Sequence, residues 1–142
     1  MNHKLTMKQA LSCILLACAT SLAAQGPWKT RLWCPQEKIN LNIDLYEESI
    51  TVPTMEDFGS MNGYLDGNVY GVWTVTSFSI KDDHAATINL SNDLGSETQE
   101  ALLTQLTDST WSLKFTGRNV VKRVSGKKLV KIPSELIMMP KK

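Results

Sequence analysis

The stretch SETQEALLTQLTDSTWSLKF, residues 96–115, can be read as a helix or as a pair of strands, and the choice decides the fold. Ser96 stands three residues before Gln99, the spacing of a capping box, and Leu102, Leu103 and Leu106 recur at helical intervals. A register test favours strands. With Asp108-Ser109 as a two-residue turn, Leu106 faces Trp111, Thr104 faces Leu113 and Leu102 faces Phe115, while Thr107, Gln105 and Leu103 face Thr110, Ser112 and Lys114. One face is then apolar except for Thr104 and the other polar except for Leu103, the sorting that a half-buried antiparallel pair requires. Asp-Ser is not an ideal tight turn, so a longer loop stays open.

The same pattern extends outward. Ile39, Leu41, Ile43 and Leu45 alternate with Asn40, Asn42, Asp44 and Tyr46, the mark of a strand with one buried and one wet face. Glu47-Glu48-Ser49 interrupts the alternation, Ile50 and Val52 resume it, and Pro53 ends it, which reads as a hairpin. A Tyr64-Leu65 strand, an Asp66-Gly67-Asn68 turn and a β-branched and aromatic run from Val69 to Ile80 come next. Lys81 to His84 reads as a turn and Ala86 to Leu90 as a strand. Downstream lie NVVKRV, a Ser125-Gly126 turn, KKLVKI and ELIMM, for which no register is assigned. With no βαβ rhythm, this predicts an all-β, single-domain antiparallel meander of about eight strands. A closed barrel is expected, with a sandwich as the alternative, because closure leaves no sheet edge unpaired.

The N-terminus supplies an address. MNHKLTMKQ carries Lys4 and Lys8 and no acid, and an apolar run from Ala10 to about Ala24 ends in small residues, the layout of a secretory signal. The run is shorter than the roughly 20 apolar residues that span a bilayer. Ser21-Leu22-Ala23 offers small side chains at the first and third positions before a cut, giving a signal peptide over 1–24 and a barrel domain over 25–142. Alternatively, Leu15-Leu16-Ala17-Cys18 resembles the bacterial lipobox, which implies a lipoprotein signal over 1–17 and lipidation of Cys18. Both readings export the chain, to the periplasm or outside the cell, or to a membrane through the lipid alone. Either way Cys34 has no intrachain partner and reads as a small buried hydrophobe.

The strand count, the length and Gly71-Val72-Trp73, which matches the lipocalin Gly-x-Trp, resemble calycin-type barrels: lipocalins and the small lipocalin-like proteins that bacteria export. In lipocalins the motif lies on the first strand; here it lies mid-chain. The resemblance implies a β-barrel architecture.

Charge is uneven. Residues 25–110 carry 4 bases and 13 acids, whereas 111–142 carry 9 bases and one acid. The basic strands either pair with acidic neighbours or present a stripe, Lys122, Arg123, Lys127, Lys128 and Lys131, to a polyanion such as lipopolysaccharide, an acidic glycan or anionic lipid. Nucleic acid is not expected, since no recognition motif is present.

Catalytic patterns are sparse. His84, between Asp83 and Ala85, has no Gly-x-Ser-x-Gly nucleophile elbow to serve. Asp82, Asp83 and His84 diverge as neighbours in a turn, and Asn92 to Glu97 lacks the acid spacing of a calcium loop. Glu47-Glu48 and Glu56-Asp57 are adjacent pairs that point apart on a strand. No catalytic residue, metal or cofactor is expected, and hydrolysis remains only as an alternative. Tyr64, Tyr70, Trp73 and Trp111 are candidate ligand contacts, though Trp73 and Trp111 also suit a core. Trp28 and Trp33 are expected to pack across the barrel's end. The expected function is an exported, non-enzymatic envelope binding protein whose partner is a small apolar molecule, a glycan or an envelope protein. The alternative is an interaction or inhibitor module using the basic C-terminal strands.

Overall fold

The computed structural model describes residues 26–142, so the expected signal segment 1–24 and the candidate lipidation residue Cys18 lie outside it. The strands are β1 (Lys29–Cys34), β2 (Ile39–Asp44), β3 (Ile50–Thr51), β4 (Ser60–Met61), β5 (Gly63–Gly67), β6 (Trp73–Ile80), β7 (Ala85–Asn92), β8 (Thr98–Thr107), β9 (Thr110–Thr116), β10 (Lys122–Ser125), β11 (Lys128–Lys131) and β12 (Glu135–Pro140). Eight of them close an antiparallel barrel in the order β1, β2, β5, β6, β7, β8, β9, β12, with β12 returning to β1. The expected meander is therefore present, interrupted by two short ribbons, β3–β4 after β2 and β10–β11 after β9. The near end of the barrel holds residues 26–28 and the connection 45–62; the far end holds the turns 35–38, 68–72 and 93–97 and the connection 117–134.

Residues 96–115 form strands, but not in the unbulged register. Thr107 pairs with Thr110 across Asp108-Ser109, and a bulge at Leu106 then sets Gln105 opposite Trp111, Leu103 opposite Leu113 and Ala101 opposite Phe115. An extra residue on one strand moves every later side chain to the other face. Leu103 thereby turns inward and Thr104 leaves the apolar face, which removes both misfits of the simple register.

The expected hairpin of Ile39–Tyr46 with Ile50–Val52 does not form. β2 pairs with β1 and β5, while Ile50 and Thr51 pair with Met61 and Ser60. The cause is Asp44, which belongs to the wet face by alternation yet is 1% exposed. Its Oδ1 accepts the Tyr46 and Glu47 N–H groups at 3.0 and 3.1 Å, and its Oδ2 accepts the Ser49 hydroxyl at 2.5 Å. The carboxylate thus folds residues 45–49 back over the barrel end. Burial pushes its pKa up, but the Ser49 hydroxyl, the two N–H groups and the Lys29 ammonium outweigh this and hold it below the ordinary 3.8. The Val69–Ile80 run is also shorter as a strand than expected: Gly71 adopts φ 83°, and β6 begins only at Trp73.

The interior is packed solid. Ile39, Leu41, Leu65, Ile88, Leu90, Leu103, Leu113 and Met138, drawn from six of the eight barrel strands, are all at 0% exposure. A side chain with no surface open to a water-sized sphere cannot line a cavity that holds one. Each such burial contributes about 1.5–3 kcal/mol, and Cys34 belongs to the same core. Trp28 and Trp111 meet edge to face at 5.8 Å between ring centroids, the Trp28 packing expected at the barrel's end. At the far end Val121 and Ile132 join the core. Gln99, buried at an inward position of β8, secures them: its Oε1 accepts the Val120 N–H at 2.9 Å and its Nε2 donates to the Thr116 carbonyl at 3.1 Å.

Candidate functional site

A filled interior leaves the outside for binding, and the sequence-derived aromatic residues divide accordingly. Trp111 is core, with its indole N–H buried and unpartnered among the described residues. Tyr64 points outward from β5, two strands from β1. Trp73 is core as well, 2% exposed, and only Tyr70 stays at the surface of the far end, where its carbonyl accepts the Trp73 Nε1–H at 3.3 Å.

The basic stripe meets them there. The Tyr70 N–H donates to the Lys122 carbonyl at 2.7 Å, tying the 68–72 turn to the β10–β11 ribbon. Strand alternation splits the ribbon into two faces. Lys122 faces Lys131 and Val124 faces Leu129 on one side; Arg123 faces Val130 and Ser125 faces Lys128 on the other. The five expected basic residues are therefore not one stripe. Arg123 instead bonds the Glu37 carboxylate at 2.7 Å across to the β1–β2 turn, a pairing of basic strand with acidic neighbour. Lys127 and Lys128 stand exposed at the ribbon tip.

Between the ribbon and the 93–97 turn lies a groove of about 140 Å³, with Tyr70, Leu94, Val120, Lys122 and Leu129 in its walls and Asp93 and Glu97 on its acidic side. Asn92 builds that turn: its Oδ1 accepts the Ser96 and Glu97 N–H groups at 2.9 and 3.2 Å. Leu94 is held outward at its tip, 82% exposed, and Tyr70 is 59% exposed. Val124 and Leu129 are also exposed. Apolar side chains gathered at one rim beside both signs of charge are the makings of a docking surface. Leu94 was legible as an apolar residue inside a polar turn; Leu129 and Val124 were not, because only the pairing of the ribbon puts them on one face.

The other candidates sit apart. His84 is exposed in the β6–β7 turn, where the Asp82 carboxylate accepts the backbone N–H groups of His84 and Ala85, both at 2.8 Å. Glu47, Glu48, Glu56 and Asp57 are exposed in the near-end connection. Among the described residues no three His, Cys, Asp or Glu side chains are grouped to hold a metal. No family model, curated protein or solved structure matches the chain.

Proposed function

We propose that this protein is an exported binding protein of the cell envelope that works with the outside of its barrel, engaging a protein partner at the far end. The observation that carries this is the exposure of Tyr70, Leu94, Val124 and Leu129 on the rim of a barrel whose interior is already full. A calycin-type carrier of small apolar molecules would need a lumen. An interaction or inhibitor module needs only a rim. Leu94 and Leu129 supply apolar anchors, while Lys122 and Lys131 on one side and Asp93 and Glu97 on the other set orientation.

The test is site-specific photo-crosslinking in the native host. A crosslinking side chain at Leu94 or Leu129 is expected to yield one discrete protein adduct, and the same group at Leu106, exposed at the near end, is expected not to. Adducts absent at the far end, or identical from Leu106, would count against the reading.

A second reading has its own support. Lys122 and Lys131 stand directly opposite one another, an arrangement that costs stability, and with Lys127 and Lys128 at the tip they suit a polyanion. Retention on a heparin column, lost on Lys127→Glu with Lys128→Glu, would favour it; no retention at low salt would end it.

A further inference from the structure

On the outside of the barrel wall, the register of β1, β2 and β5 sets polar and aromatic side chains in two rows. Arg31, Asn42 and Tyr64 are successive cross-strand partners in one; Trp33, Asn40 and Asp66 are successive partners in the other. Between the rows lies a groove of about 190 Å³, floored by the strand segments at Leu32 and Leu41, whose side chains point into the core. Lys141 closes one side. Its backbone N–H donates to the Arg31 carbonyl at 2.7 Å, its Nζ donates to Asn40 Oδ1 at 3.2 Å, and the same ammonium lies 5.4 Å from the centre of the Trp33 ring.

The two rows differ in how their polar groups are used. Asn40 is satisfied on both sides, since its Nδ2 also donates to Asp66 Oδ1 at 3.2 Å. This row is pre-organised by the protein itself. The Asn42 amide, the Tyr64 hydroxyl and the Arg31 guanidinium form no hydrogen bond or ion pair with another described residue, yet Asn42 and Tyr64 are half-buried. Half-buried amides and hydroxyls held in place without a protein partner are suited to a ligand that both donates and accepts.

We infer that this groove binds a saccharide bearing a carboxylate, one uronic-acid ring at a time. Sites for drug-sized ligands run to about 300–1,000 Å³, so a groove of about 190 Å³ takes a single ring. Its walls are amide, hydroxyl and charge, which excludes an apolar guest. Ring hydroxyls match the free Asn42 amide and the Tyr64 hydroxyl, and the C–H face of the ring rests on the Tyr64 aromatic surface. The charge balance selects the acid: Arg31 and Lys141 face one carboxylate, Asp66, which already accepts from Asn40. Arg31 presents the planar fork that bonds a carboxylate in two places. The inference does not rest on the far-end reading, and no residue is shared between the two surfaces.

The test is a titration of the purified, isotope-labelled protein with methyl glucuronide and methyl glucoside, followed by amide chemical shifts. Glucuronide is expected to perturb amides of 31–33, 40–42 and 64–66, and to bind at least fivefold more tightly than glucoside. Arg31→Gln, an exposed position, is expected to abolish that preference. Tyr64→Phe, which keeps the ring and removes only the hydroxyl, is expected to weaken both sugars. No perturbation in the groove overturns the site. Equal affinity for the two sugars overturns the acidic class. Shifts centred on Lys127 and Lys128 that survive Arg31→Gln overturn the inference in favour of general attraction to the ribbon.

Discussion

Asp44→Ala should be among the most damaging single substitutions outside the apolar core. The side chain is 1% exposed and its two oxygens accept three hydrogen bonds, from the Tyr46 and Glu47 N–H groups and the Ser49 hydroxyl. A hydrogen bond to a charged group contributes about 1.5–3 kcal/mol net, and an orphaned buried donor costs about 1–3 kcal/mol. Water can reach Glu47 and Ser49, which are exposed, but reaches Tyr46 less readily. The loss should therefore be about 3 kcal/mol, a large share of the roughly 5–15 kcal/mol that holds a domain folded. At roughly 4 °C per kcal/mol for a chain of this size, Tm should fall by about 12 °C.

Asp44→Asn separates charge from shape, and pH then checks the mechanism. Because the folded-state pKa lies below 3.8, the native protein binds this proton less readily than the unfolded chain does. The ionised carboxylate thus contributes its full stability above about pH 4 and loses it as pH falls toward the native value. Asp44→Asn should be less stable than the parent at neutral pH, and the gap should shrink steadily below pH 4. Urea unfolding followed by Trp fluorescence at pH 7 and at pH 3 measures both quantities. Asp44→Ala within 1 kcal/mol of the parent, or an Asp44→Asn gap that does not narrow in acid, would refute this account of the near end.

Four other outcomes are expected. Trp111→Phe should leave stability within about 1 kcal/mol of the parent, because removing a buried N–H that has no partner offsets the lost apolar area; Trp28→Ala, by contrast, should cost about 3–5 kcal/mol in the same denaturant assay. Gln99→Leu keeps the volume but strands the Val120 N–H, so it should cost about 2 kcal/mol and expose the 117–134 connection to limited proteolysis before the barrel strands. Leu94→Ser combined with Leu129→Ser should change Tm by no more than a few degrees, both side chains being exposed, while reducing far-end partner capture at least tenfold; unchanged capture would remove these leucines from the docking surface.

The strands were legible because alternation reports burial locally, whereas the choice of a closed barrel over a sandwich was decided by the pairing of β12 with β1. Ile39, Leu41 and Ile43 against Asn40 and Asn42 state which way a strand faces without reference to any other strand. The same rule misplaced Asp44, since alternation knows only that a carboxylate prefers water, not that the chain after it folds back so that donors on Tyr46, Glu47 and Ser49 stand in for water. It also misjudged Leu103, where one bulged residue reverses the faces of everything beyond it.

The candidate sites show the same division more sharply. Residue types alone set the all-β class, the apolar core and the concentration of basic residues toward the C-terminus, because each depends on composition and short-range period. Which aromatic residues are buried and which are exposed was settled only by assembly: Trp111 became core, Tyr70 was left at the rim, and Tyr64 came to share a row with Arg31 and Asn42. Arg31 and Tyr64 are more than thirty residues apart and meet only through the pairing of three strands. Register is a property of several segments at once, so no inspection of any one segment contains it.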